Sequence, residues 1–174
     1  LRRIGPASTG DVSVLDLARG TDTRLTSSGV VVAPRWSPDG RRIAFVERSP
    51  DAASQIRMAS ADGSGRVDSL DAPGIEGGWV DQWAPDGAGL VYTSGTYHRF
   101  EVPLAGGRTR PIGDSTVVAA ICRLSPDGRW IAYAQGTLPN VNVFVEGVAG
   151  GTGRWQISTT PGSRAVWVRG GRGM

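Results

Sequence analysis

Lysine is absent from the 174 residues, so all 19 basic side chains are arginines. These residues therefore cannot supply a phosphate-loop lysine, a kinase catalytic lysine or a Schiff-base lysine. A single cysteine, Cys122, forms no internal disulfide and leaves the redox compartment open. With only one histidine, His98, beside it, the usual zinc ligand sets cannot be assembled. No apolar run is long enough to cross a bilayer, and the stretch Leu1-Arg2-Arg3-Ile4-Gly5-Pro6 carries no apolar core of a signal peptide. A capped amphipathic helical pattern is missing throughout. The net charge of +3 comes from arginines scattered among aspartates, without a dense basic run or interleaved aromatics. Such a surface is solvated and mixed, and no nucleic-acid partner is expected.

What is plentiful is punctuation. The 26 glycines and 11 prolines are spread along the chain instead of pooling in a linker, which fits many short strands joined by turns. They also recur. Trp36-Ser37-Pro38-Asp39-Gly40 is followed by Trp83-Ala84-Pro85-Asp86-Gly87, then Leu124-Ser125-Pro126-Asp127-Gly128 and a degraded Trp167-Val168-Arg169-Gly170-Gly171. The anchors at 36, 83, 124 and 167 are 47, 41 and 43 residues apart. A second landmark, the small-residue turns closing at Gly20, Gly63, Gly107 and Gly151, repeats every 43, 44 and 44 residues. Two independent landmarks sharing one period indicate a repeat of supersecondary units, and the period is that of a four-stranded propeller blade.

Each repeat reads as four strands. One runs into the anchor, and a nearly continuous apolar strand such as Ile43-Ala44-Phe45-Val46 follows the Asp-Gly turn. An alternating strand such as Val141 to Val145 comes next, and a short outer one such as Thr109-Arg110-Pro111-Ile112 ends the unit. Pro111 has no ladder donor and belongs on an edge. The expected fold is all-β: a segment of a β-propeller made of four-stranded antiparallel blades, about three complete plus parts of a fourth. The single partial domain 1–174 divides into a partial blade at 1–28, blades at 29–72, 73–114 and 115–160, and the first strand of a further blade at 161–174. A section of a larger six- to eight-bladed ring is the expected setting, with Leu1 to Ile4 as a second-strand remnant.

The Trp-Ser-Pro-Asp-Gly-Arg segment followed by Ile-Ala-Phe or Ile-Ala-Tyr resembles the TolB-like, WD-repeat-like propeller family. Trp36 to Phe45 and Leu124 to Tyr133 match it closely. Trp83 to Tyr92 departs at Ala84 and at Ala88-Gly89-Leu90. The resemblance implies a sensing, scaffolding or protein-interaction module of the kind found in periplasmic proteins or C-terminal to bacterial serine/threonine kinases. It also implies an extracytoplasmic setting. The alternative it raises is the gating propeller of a prolyl-oligopeptidase-like serine peptidase with its catalytic domain outside this chain. No nucleophile elbow occurs here, because Gly113-Asp114-Ser115-Thr116-Val117 lacks its second glycine.

Within these residues no catalytic group, cofactor or metal is expected. Pro38, Asp39, Gly40, Pro85, Asp86, Gly87, Pro126, Asp127 and Gly128 are explained as hairpin turns: proline presets φ and glycine takes the left-handed position. Cys122 reads as a core thiol and His98 as a surface histidine. In an up-and-down blade the Asp-Gly turns share one face, while the second-to-third loops and the connections between blades share the other. Variable loops on a rigid scaffold are where recognition resides. Ser49, Asp51, Glu76, Trp79, Tyr97, His98 and Asn140 are therefore the candidate partner-binding residues. The expected partner is another protein or another domain of the parent chain, with no direct membrane insertion.

Overall fold

A computed structural model describes residues 10–49, 53–72, 77–114, 117, 119–151 and 153–168. Strands β1 (Ser13–Asp16) and β2 (Thr21–Arg24) pair as a two-stranded antiparallel sheet. Three four-stranded meanders follow. The first contains β3 (Val31–Trp36), β4 (Arg42–Glu47), β5 (Gln55–Ser60) and β6 (Val67–Leu70). The second contains β7 (Trp79–Trp83), β8 (Gly89–Thr93), β9 (Arg99–Pro103) and β10 (Arg110–Pro111). The third contains β11 (Ala120–Leu124), β12 (Trp130–Gln135), β13 (Asn142–Gly147) and β14 (Arg154–Gln156). These are blades 1, 2 and 3 of a partial all-β propeller, and no helix occurs among the described residues. Pro111 lies on the outer edge strand β10, where the ladder loses nothing by its missing donor.

The strands entering the anchors are innermost, since neighbouring blades touch through them. Arg35 Nε donates to the Asp81 carbonyl at 2.5 Å, and the Leu124 amide donates to Gln82 Oε1 at 3.1 Å. Each inner strand carries one extra residue in its pairing, between Val32 and Arg35, Val80 and Gln82, and Ala120 and Arg123. Ala33 and Ile121 reach φ of 52° and 55° at these bulges, which tighten the local twist and re-aim the residues beside them.

Each blade hides its faces against its neighbours, which gives three cores in place of one. Val12, Leu25, Val31, Ile43, Phe45 and Ala59 pack between the β1–β2 sheet and blade 1. Blades 1 and 2 meet through Val46, Ile56, Met58, Val80, Trp83 and Tyr92, and blades 2 and 3 through Val91, Ile112, Cys122, Ile131 and Tyr133. Burying a side chain the size of Phe45 contributes about 1.5–3 kcal/mol. A lone four-stranded sheet would leave half of that surface wet.

The anchor tryptophans stitch blade to blade. Trp83 is 4% exposed and its Nε1 donates at 2.9 Å to the carbonyl of Arg35 in blade 1. Trp167 repeats the bond on the far side of blade 3, two interfaces further on, from Nε1 to the carbonyl of Arg123 at 3.0 Å. Trp36 is 47% exposed, and among the described residues no inner strand of a preceding blade stands beside it. The segment Ala165 to Val168, expected as a first strand, forms none here: a strand requires a paired neighbour, and the described residues place none along it. Leu1 to Ile4 falls outside the described residues.

Candidate functional site

The two faces of the blades have different chemistry. On the turn face, Gly40, Gly87 and Gly128 have φ of 69°, 73° and 71°, the left-handed conformation that closes each Pro-Asp-Gly hairpin. Asp39 Oδ1 accepts the Ser37 hydroxyl at 2.6 Å and the Arg41 amide at 3.0 Å, while Ser37 Oγ accepts the Arg42 amide at 2.9 Å. Blade 3 copies this network through Ser125, Asp127, Arg129 and Trp130. The Ser125 hydroxyl, then the Arg129 amide, hold the Asp127 carboxyl down at about 2, and the same contacts lower Asp39. In blade 2 Ala84 has no hydroxyl to offer, and Asp86 keeps only the Ala88 amide, at 2.9 Å. These aspartates are occupied with turn geometry, and among the described residues no group of three or more His, Cys, Asp or Glu could hold a metal ion.

On the loop face the structure brings three of the candidate residues together in blade 2. Trp79 opens β7, and the β8–β9 loop carries Tyr97 and His98. The Trp79 and Tyr97 rings meet edge to face with centroids 5.7 Å apart. Tyr97 is 44% exposed at φ 64°, a conformation held by its amide donating to the Ser94 carbonyl and its carbonyl accepting the Ala119 amide. Ser94 Oγ lies 2.9 Å from Thr96 Oγ1, which lies 3.0 Å from His98 Nδ1, so the histidine is bonded within its own turn. Gly78 admits no side chain, because a Cβ there would sit 2.0 Å from the Thr93 carbonyl oxygen. Ser49 and Asn140 are exposed in the corresponding loops of blades 1 and 3. Asp51 and Glu76 lie outside the described residues.

Residues the sequence reading passed over lie beneath this pair. Asp81, 2% exposed, is the extra residue of the β7 bulge. Its Oδ1 accepts Trp79 Nε1 at 3.1 Å and its Oδ2 accepts the Thr93 hydroxyl. Burial raises its pKa, against the pull of those two bonds and of the Arg123 and Arg35 guanidinium groups. Asp81 is thus a positioning residue that fixes the indole by its N–H. The signal was an acidic residue inside an inner strand, Val80-Asp81-Gln82-Trp83, where the neighbouring repeats place Pro34-Arg35 and Cys122-Arg123. Cys122 is fully buried and its thiol is pushed up to about 12, chiefly by desolvation, so it is a protonated core group at neutral pH. The arrangement offers an aromatic edge, hydroxyls and a screened carboxylate, a set suited to contact and hydrogen bonding.

No protein-family model matches the sequence, and no curated protein matches it. Solved structures do match. TolB from Acinetobacter baumannii superposes with a TM-score of 0.69 at 21% identity, over 87% of this chain and 38% of that one. A chain of the nidogen/laminin complex gives 0.64 at 14% identity, over 86% and 59%. Oligogalacturonate lyase in complex with manganese gives 0.56 at 20% identity, over 83% and 40%. The chain thus spans about two fifths to three fifths of the length of these structures. Three blades, their inner-strand stitching and these superpositions together give the chain the TolB-like β-propeller fold.

Proposed function

We propose that this propeller segment is a recognition module whose loop face engages another protein or another domain of its parent chain, and that it carries no catalysis of its own. The observation supporting this is the Trp79–Tyr97 pair: two aromatic rings held edge to face, one half-exposed on a loop and the other locked from below by Asp81. Aromatics immobilised before contact lose little conformational freedom on binding, which is why such residues anchor interfaces. A periplasmic or other extracytoplasmic setting accompanies the reading.

The test is site-specific photocrosslinking in the full parent protein in its own cell. A benzophenone amino acid replaces Tyr97 on the loop face or, as control, Leu17, which is 82% exposed on the β1–β2 turn of the other face. A discrete protein or interdomain adduct is expected from position 97, absent from position 17 and lost in Trp79→Ala. No adduct at 97, or equal yields at both positions, overturns the proposal.

A further inference from the structure

Two departures from the repeat, 35 residues apart in sequence, meet at one place in the fold. Between blades 1 and 2, the wedge on the turn face is filled by the Trp83 indole. Its N–H sits on the Arg35 carbonyl, and the Arg42 guanidinium lies 5.1 Å over its ring. Between blades 2 and 3 the residue equivalent to Trp83 is Leu124, and the residue equivalent to Arg42 is Gly89. Gly89 cannot grow without displacing backbone, since a Cβ there would meet the Val102 carbonyl oxygen at 3.0 Å. Both the plug and its cover are missing from the same wedge.

What remains is a cavity of about 490 Å³ in the size range of ligand pockets. Its apolar lining includes Val91, Ile112, Leu124 and Val148, and the Ala84-Pro85-Asp86 and Pro126-Asp127-Gly128 turns frame it. Glu101 joins Asp86 and Asp127 to make this part acidic, while Arg110 and Arg129 border the continuation of the groove. We infer that this cavity is a receptor for a tryptophan side chain from a partner polypeptide, inserted where the repeat's own indole is lacking. The protein's own interfaces define the occupant. Twice, at Trp83 and Trp167, an indole spans adjacent blades and donates its N–H to the carbonyl of the residue preceding the previous anchor. By repeat position the equivalent residue is Gln82, which precedes the Trp83 anchor, and its carbonyl is the acceptor this reading assigns to the inserted indole. Asp127 is already paired with Arg129, so Glu101 and Asp86 select a segment with a basic residue beside its tryptophan. This site is on the face opposite Trp79 and Tyr97, so the two readings stand or fall separately.

The probe is 5-fluoroindole, titrated into the full chain and followed by fluorine NMR, with Nα-acetyltryptophan and cationic tryptophanamide as charged counterparts. Saturable binding with nuclear Overhauser contacts to the methyls of Val91, Ile112 and Leu124 is expected, with tryptophanamide binding more tightly than Nα-acetyltryptophan. Leu124→Trp should fill the wedge and weaken the probe by about tenfold or more. Trp83→Leu should open the corresponding space between blades 1 and 2 and add a second binding event. The wild-type contacts alone decide the matter if either variant fails to fold: no saturable binding, or contacts to other methyls, overturns the inference. Self-association of the chain that Leu124→Trp abolishes would assign the cavity to a second copy and overturn the assignment to a foreign segment.

Discussion

The interface between blades 1 and 2 and that between blades 2 and 3 are built from the same repeat by different means. The first packs apolar side chains around Trp83 and Tyr92, with cross-blade hydrogen bonds on the inner strands and the Arg42 guanidinium over the indole. The second substitutes Leu124 for the indole and buries an ion pair. Arg99 Nη2 reaches Glu146 Oε1 at 2.6 Å, both side chains nearly inaccessible, and the guanidinium lies 4.1 Å over the Tyr133 ring. Gly113 makes the room, since a Cβ there would fall 2.1 Å from Glu146 Oε1. One repeat can therefore be closed by packing or by paired charge. The second solution depends on complementarity, because desolvating both ions costs as much as their attraction returns unless each keeps its partner.

The largest effects should come from breaking each closure by its own weak point. Trp83→Ala removes the plug of the first interface and should cost about 3–5 kcal/mol in chemical denaturation. Leu124→Ala, at the equivalent position beside an existing cavity, should cost near the low end for leucine, about 2 kcal/mol. Equal losses would mean that the two wedges are packed alike. Glu146→Leu leaves the Arg99 charge buried without its partner and should cost about 3–5 kcal/mol, yet adding Arg99→Met should recover most of that loss. If the double variant is less stable than Glu146→Leu alone, the pair is not the closing device.

Cys122 reports on the same contrast without measuring global stability. Its buried thiol packs in the second interface, with the Thr93 hydroxyl 3.9 Å from the sulfur. With the thiol pushed up to about 12, no thiolate is available near neutral pH, and disulfide reagents should react only through opening of that interface. Glu146→Leu should accelerate labelling more than Trp83→Ala does. Equal acceleration by the two variants would show that the interfaces open as one unit.

The repeat itself was legible because a blade is a local object. The strand periods, the Asp-Gly turns and the edge proline Pro111 are all set by residues within one unit, so their physics shows in the sequence. The loop-face aromatics could be nominated from the same meander, and Trp79 and Tyr97 do meet. What the sequence concealed depends on contact between units. Asp81 is an unremarkable aspartate until the bulge turns it under Trp79. Arg99 and Glu146 are 47 residues apart and reveal nothing of their pairing. Leu124 and Ala88-Gly89-Leu90 read as drift from the motif, although the fold makes them two sides of one vacancy. Trp36 shows the converse: a good match to the motif does not guarantee burial, because among the described residues no inner strand of a preceding blade lies against it.

The smallest contrast is in the turns. Ser37 and Ser125 brace their hairpins by accepting the Arg42 and Trp130 amides and donating to Asp39 and Asp127, whereas Ala84 cannot. Ser125→Ala should therefore cost about 0.5–1.5 kcal/mol, and Ala84→Ser should gain up to a similar amount if blade 2 accepts the same network. The two changes also differ in their dependence on acid. A carboxyl lowered from 3.8 to about 2 on folding, as Asp127 is, adds stability that is complete above the ordinary carboxylate range and is lost as pH falls from there toward 2. Because the Ser125 hydroxyl is the first cause of that lowering, Ser125→Ala should flatten the loss of stability between pH 4 and 2, while Ala84→Ser should steepen it. Thermal melts across that interval would settle the assignment. Parallel curves for wild type and both variants would show that the hydroxyls brace the turns without holding the carboxylates in their ionised form.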